Sequence, residues 1–362
     1  MRRYRILLEV RSFALFTIPI LVAASGAADR ISFAVLSFGV GLYPAVAVQW
    51  VALYAAMLAV ELPISALQYW LDCRFQVARG SVGRRLVDAL KANVFGFFFG
   101  LAVIESVFFA MNLTSDYGWV LAAAIVSLLH AVLVYVVPSL LPLFYRLAPL
   151  ANSQLVFRLK ALAQRAGVEV GDIYEWHISG RTRRANALVA GFGRSRKVIV
   201  TDTMLENFSE EEIESLIAHE FGHCAHGDIV KRMLFATLLF LPIFWIAHAI
   251  VTFQLVPAPA GWTNPGLVPV FWCVWLYLTL GTNLLKARLT RQQERRADRF
   301  AWEHIPSVLP FIPAMKKITA LNLITFEKSS EWKYTHPATP DRITAAEQYA
   351  RDHGQLADAA AV

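Results

Sequence analysis

His219-Glu220-Phe221-Gly222-His223 places two imidazoles four residues apart with a carboxylate between them. On a helix, positions four apart share one face. The two rings could then grip one zinc ion, with Glu220 beside it as general base. An ion held there would acidify a water and polarise a scissile carbonyl. Glu220 would take the water's proton and later pass it to the leaving amine. The stretch just ahead, Phe208-Ser209-Glu210-Glu211-Glu212-Ile213, supplies the helix. Ser209 with Glu212 three residues on predicts a capping box, and acids crowd the first turn. Ile213, Leu216 and Ile217 form the apolar face, and Gly227 predicts the break.

A catalytic zinc takes three protein ligands and keeps one position open. His226 and Asp228 follow closely enough to be candidates. Glu294 is preferred, within Arg291-Gln292-Gln293-Glu294-Arg295-Arg296-Ala297-Asp298. Asp298 lies one turn further on the same face, where it could accept a hydrogen bond from a metal-bound imidazole.

These residues are set in an apolar chain. It is 57% hydrophobic and only 17% charged, against about 25% charged in soluble domains. A span needs ~20 apolar residues. Six stretches qualify: Ser12 to Ala28, Gly41 to Leu67, Val94 to Met111, Trp119 to Leu143, Met233 to Leu255 and Leu267 to Leu285. Ile31 to Val40 is a candidate seventh, broken one. Residues 1–144 therefore form a four-span membrane domain, and 145–362 a peptidase domain that includes two further spans, at about 233–255 and 267–285.

The connection between the second and third spans carries Arg74, Arg79, Arg84, Arg85 and Lys91, while the loops on the other side are nearly free of basic residues. By the positive-inside rule the basic side, which also holds Tyr145 to Arg232, is cytoplasmic. The net charge of +7 is accounted for by residues flanking the spans and touching lipid headgroups. No recognition motif points to nucleic acid. Three cysteines without a spacing pattern exclude a disulfide framework and a cysteine zinc cluster. Glu61, Glu105, His130 and His248 fall inside spans, where ionisable groups face a partner or a cavity.

Between the fourth and fifth spans the pattern changes. Ser153 to Gly167 predicts an amphipathic helix, with Leu155, Leu159, Leu162 and Ala163 on one face. Asp172 to Ile178, Ala185 to Gly191 and Lys197 to Val200 predict strands of a small sheet. The fold class is thus a mainly α polytopic membrane protein with a cytoplasmic, zincin-like α+β catalytic domain.

With these motifs in place, the chain resembles the integral-membrane zinc metallopeptidases typified by the type I CAAX prenyl proteases. The resemblance rests on four spans, H-E-F-G-H, two spans, R-x-x-E-x-x-A-D and T-H-P-x-x-x-x-R, in that order. Asn186-Ala187-Leu188-Val189-Ala190-Gly191 looks like the family's S-N-A-x-x-x-G strand, with Ala185 where serine is usual. The HtpX-like proteases share the zinc motifs without the four-span leader. The resemblance implies one zinc ion held by His219, His223 and Glu294, Glu220 as base and Asp298 in support of a ligand. It implies that Asn186 and Ala187 pair with an extended substrate backbone. It also implies that His336 donates to the oxyanion and that Arg342 lies near the substrate or that histidine.

The expected substrate is a membrane-associated or lipid-modified, CAAX-like protein; quality control of misfolded membrane proteins is the alternative. The carboxyl end shows no endoplasmic-reticulum retrieval signal, which together with the Ala- and Arg-rich composition tilts the expectation to a bacterial inner membrane. A site-2-type intramembrane protease would carry its motif on a membrane-spanning helix, and the carboxylates from Glu210 to Glu212 are too costly to place in lipid. A non-catalytic multispan protein with structural zinc would fill the fourth position with protein, most plausibly His226.

Overall fold

The computed structural model describes residues 2–114, 116–253, 255, 261–322 and 335–356. The carboxyl end beyond Leu356, expected to be frayed, lies outside them. The chain divides into two compact units that interleave along the sequence. One comprises Met1–Phe75, Val82–Leu133 and Met233–Thr282, the other Gln76–Ser81, Val134–Arg232 and Asn283–Val362.

The first unit is built from apolar helices. Helices α1 (Arg2–Ala24) and α2 (Ala27–Ser37) are bent by 58° at their junction, and the apolar parts of the pair together meet the length of one span. The segment Ile31 to Val40 thus begins within the second arm of a bent pair and adds no seventh span. Helices α3 (Leu42–Arg74), α4 (Val82–Leu113) and α5 (Gly118–Phe144), with Asp228–Thr252 and Pro265–Asn283, are each long and apolar enough to cross a membrane. The protein is therefore a multipass membrane protein, with five such helices among the described residues, or six with the bent pair. Trp50, Phe108, Phe244 and Phe271 fill its core.

Some polar groups of these helices pair with one another across the unit. Arg11 grips Glu61 with two hydrogen bonds, one from Nε to Oε2 at 2.8 Å, and Ser65 Oγ adds a third at 2.9 Å. Gln49 donates to the Ala28 carbonyl and to Ser32 Oγ. Glu105 Oε2 and the Nδ1 atoms of His130 and His248 are buried without a hydrogen-bond partner among the described residues.

The second unit holds a four-stranded sheet. Its strands are β1 (Arg146–Pro149), β2 (Ile173–His177), β3 (Ala187–Ala190) and β4 (Lys197–Thr201), in spatial order β1-β2-β4-β3. β2 and β4 are parallel and the two outer pairs antiparallel, so β1 and β3 are the edges. The last three strands follow the sequence expectation. β1 did not announce itself, because four residues ending in proline carry no alternation. Asp202, starting the short helix α7 (Asp202–Asn207), accepts the backbone N–H groups of Ile178, Ser179 and Thr203 and anchors the turn after β2.

Helix α6 (Ser153–Arg165) is capped by Asn152, and its leucines pack into the core of this unit. Helix α8 (Glu210–Ala225) begins with the expected capping box: Ser209 N–H donates to Glu212 Oε2 at 2.7 Å, and Glu212 N–H to Ser209 Oγ at 3.3 Å. Arg158 and Arg165 of α6 close on the buried Glu214 of α8 at 2.7 and 2.9 Å. Helix α9 (Asp228–Thr252) follows after the break at Gly227. Helix α10 (Val268–His304) runs unbroken, so the last span and Glu294 share one helix. Helices α11 (Phe311–Asn322) and α12 (Thr339–Asp352) complete the unit.

Helices α8 and α10 meet closely. A Cβ on Gly222 would lie 2.9 Å from the Ala297 Cα and 3.1 Å from its carbonyl oxygen. Both are backbone atoms, so the helix itself would have to move. Gly222→Val is expected to lower the thermal unfolding midpoint in detergent, at roughly 1–3 kcal/mol for overpacking; an unchanged midpoint would show that α10 yields freely. Ser209→Ala should cost about 1 kcal/mol through loss of the cap, measured by the same scan.

Candidate active site

The capped start of α8 sets its rotation so that Leu216 and Ile217 face the core and His219, Glu220 and His223 face α10 and the adjoining cavity. His219 Nε2 lies 3.4 Å from Glu294 Oε2, and His223 Nε2 lies 3.3 Å from Glu294 Oε1. Donor atoms of these three residues all fall within 4.8 Å of one another. All three side chains are buried, and Glu294 is only 2% exposed.

Each imidazole is held from behind. His219 Nδ1 meets Asp298 Oδ1 at 2.8 Å, and His223 Nδ1 meets Asp228 Oδ2 at 2.8 Å. A carboxylate on Nδ1 fixes an N–H there and makes Nε2 the atom that would turn to a metal. Each carboxylate is met in turn by an arginine. Arg342 Nε donates to Asp298 Oδ2 at 2.8 Å, and Arg296 Nη2 donates to Asp228 Oδ1 at 2.6 Å.

Burial opposes charge throughout this cluster, and pairing more than reverses it. For Glu294 the three facing histidines hold the carboxyl well below its ordinary range. Arg342 and His219 do so for Asp298, and His223 and Arg296 for Asp228. His219, although desolvated, is raised to about 9 by its bonds to Asp298 and Glu294. His223 moves the same way, against its own burial, through Asp228 and Glu294.

The donor set fits a divalent cation. Two Nε2 atoms converge on one carboxylate whose Oε2 is buried without a properly aligned hydrogen bond among the described residues. His336 Nδ1 approaches that oxygen to 2.8 Å without forming one. With both imidazoles neutral, as metal ligands must be, three ionised carboxylates face only two guanidiniums, and a cation takes the place of the lost protons.

A cavity of about 380 Å³ opens beside these groups. It is lined by His219, Glu220, Glu294, His336 and Arg342, by Asn186 and Ala187 at the edge strand β3, and by Met204, Leu216 and one face of α11. Seven of the nine residues singled out from sequence thus line one cavity; His223 and Asp298 stand behind it. Arg342 is engaged with Asp298, and its Nη2 lies 3.4 Å from His219 Nδ1.

Of the other ligand candidates, His226 turns away. Its Nδ1 bonds to the Gly222 carbonyl at 2.7 Å and its ring packs on Phe300. Asp228 has both oxygens occupied. Sequence reasoning did not see the roles of Asp228 and Arg296 in holding His223. Nor did it see Asn322, which exchanges two 3.0 Å hydrogen bonds with the backbone of Ala185 and pins the start of the edge strand.

Comparison with known proteins agrees with this geometry. Residues 149–350, more than half of the chain, match the model of Peptidase family M48. CAAX prenyl protease 1 of Saccharomyces cerevisiae is 22% identical over 310 residues, covering 79% of this chain and 68% of the yeast protein. An uncharacterized metalloprotease of Bacillus subtilis, YhfN, is 21% identical over 300 residues, covering 80% and 70%. The crystal structure of S. mikatae Ste24p superposes with a TM-score of 0.76 at 20% identity, over 85% of this chain and 77% of that one, which speaks to the fold. A metal-competent cluster on H-E-x-x-H, a multispan architecture and the family match converge: the chain belongs to Peptidase family M48, as a multipass membrane member.

Proposed function

We propose that this protein is a zinc-dependent endopeptidase that cuts membrane-associated or lipid-modified proteins at the cytoplasmic face. The observation that carries this is the convergence of His219 Nε2, His223 Nε2 and Glu294 on one point, with Glu220 on the wall of the same cavity. A single zinc ion held there by His219, His223 and Glu294 would supply Lewis-acid polarisation of a carbonyl and would lower the pKa of a water.

The chain's own residues do the rest. The carboxylate of Glu220 takes a proton from the water and returns it to the leaving amine. Asp298 fixes the His219 ring, and Arg342 acts by holding Asp298 in place. His336 donates to the oxyanion as the carbonyl turns tetrahedral. An extended substrate lies along β3, whose outer edge is free of strand partners among the described residues, with Asn186 and Ala187 nearest the cavity. The basic connection between α3 and α4 supports a cytoplasmic site. The likeness to a CAAX prenyl protease supports a carboxyl-terminal, lipid-bearing substrate. Residues 145–362 act as the peptidase domain and 1–144 as its four-span leader.

Purified protein in detergent should cleave a quenched fluorogenic CAAX-like peptide, lose that activity to a chelator and regain it with zinc. Glu220→Gln should lower turnover roughly 10²–10⁴-fold while keeping one equivalent of zinc; wild-type rates from this variant would overturn the proposal. His336→Ala should reduce kcat about 10²–10³-fold with little change in KM. An effect confined to KM would instead make His336 a binding residue.

A further inference from the structure

We infer that Asp228 and Arg296 are positioning residues for His223, forming a second carboxylate–arginine clamp that sets the affinity of the metal site. This rests on the zinc site proposed above. The clamp is invisible in the helical pattern. Five residues along a continuous helix would turn Asp228 about 140° away from His223. The chain is not continuous there: α8 ends, Gly227 takes a left-handed conformation (φ 65°), and Asp228 begins α9. That turn folds the Asp228 carboxylate back onto the imidazole.

The geometry is complete on both sides of Asp228, which is fully buried. Oδ2 meets His223 Nδ1 at 2.8 Å, and Oδ1 meets Arg296 Nη2 at 2.6 Å. With both oxygens engaged, Asp228 is no ligand. It orients one, keeping the Nδ1 proton in place and Nε2 directed at Glu294, 3.3 Å away.

The arrangement repeats the one at His219, where Arg342 holds Asp298 and Asp298 holds the ring. Glu294, Arg296 and Asp298 all come from five consecutive residues of α10. One helix segment therefore supplies one ligand, the carboxylate behind the second and the arginine that secures the carboxylate behind the third.

The test uses full-length protein in detergent and zinc alone as probe. Zinc affinity is measured by chelator competition, and the visible spectrum of the Co²⁺-substituted protein reports ligand geometry. Asp228→Asn and Arg296→Met should weaken zinc about 10–100-fold and shift the Co²⁺ bands. Arg296→Lys should restore most of the affinity. Arg299→Met, removing an exposed pair with Glu303 on the same helix, should leave both readouts unchanged. Arg296 is partly exposed, so its variants test the clamp even where Asp228→Asn fails to fold. If the Arg296 variants bind zinc within twofold of wild type with an unaltered Co²⁺ spectrum, the clamp is purely structural and the inference is overturned. If wild type itself takes up no zinc, the metal site proposed above falls, and this clamp with it.

Discussion

Asp228, Glu294 and Asp298 bury three carboxylates around one point, and the surrounding unit is organised to meet their charge. Each ion taken from water into a protein interior carries a penalty of several kcal/mol. Two guanidiniums and two imidazoles offset it through hydrogen bonds of 2.6 to 2.8 Å. Once the imidazoles are neutral the compensation is incomplete in charge, which suits a site for a dication. It is also demanding in distance. The partners sit on α8, α9, α10 and α12, and the bonds form only if those helices approach within a fixed separation. Gly222 against Ala297 supplies that separation for α8 and α10. The second unspecified letter of H-E-x-x-H is therefore not free in this protein.

Much of this was legible before any coordinates. The two histidines and Glu220 carry their own spacing, and the capping box at Ser209 fixes where their helix starts. Asp298 was visible because it stands one turn from Glu294 on an unbroken helix. Asp228 was noticed only for its nearness to His223, since the left-handed turn at Gly227 breaks the periodicity that would have assigned it a face. Arg296 looked like one arginine in a charged run. The cavity wall on α11 was out of reach for a different reason. Met315, Ile318 and Asn322 belong to no motif, and only tertiary packing places them on the same cavity as Glu220.

The membrane segments show the same division. Five spans follow from apolar length alone, because in lipid the backbone must satisfy its hydrogen bonds within the helix, whereas the bend that joins Phe13–Ala24 and Ala27–Ser37 into one pair does not. The partners of the polar groups inside them do not follow from length. Glu61 meets Arg11, fifty residues away in the chain, and Gln49 meets Ala28 and Ser32 across a helix junction. Such pairs depend on which helices become neighbours, information that a one-dimensional pattern does not hold.

The separation of the cluster along the chain has a consequence for how the protein is made. His219 and Asp298 are 79 residues apart, and His219 and Arg342 are 123 apart. Both spans of the later pair lie between the imidazoles and Glu294. A nascent chain that has only reached the histidines has two rings and Glu220 but neither Glu294 nor the carboxylate behind His219. It becomes able to hold its metal only after those two segments have been handed to the bilayer. The order of residues along the chain thus makes assembly of the cluster one of the last events of the protein's synthesis.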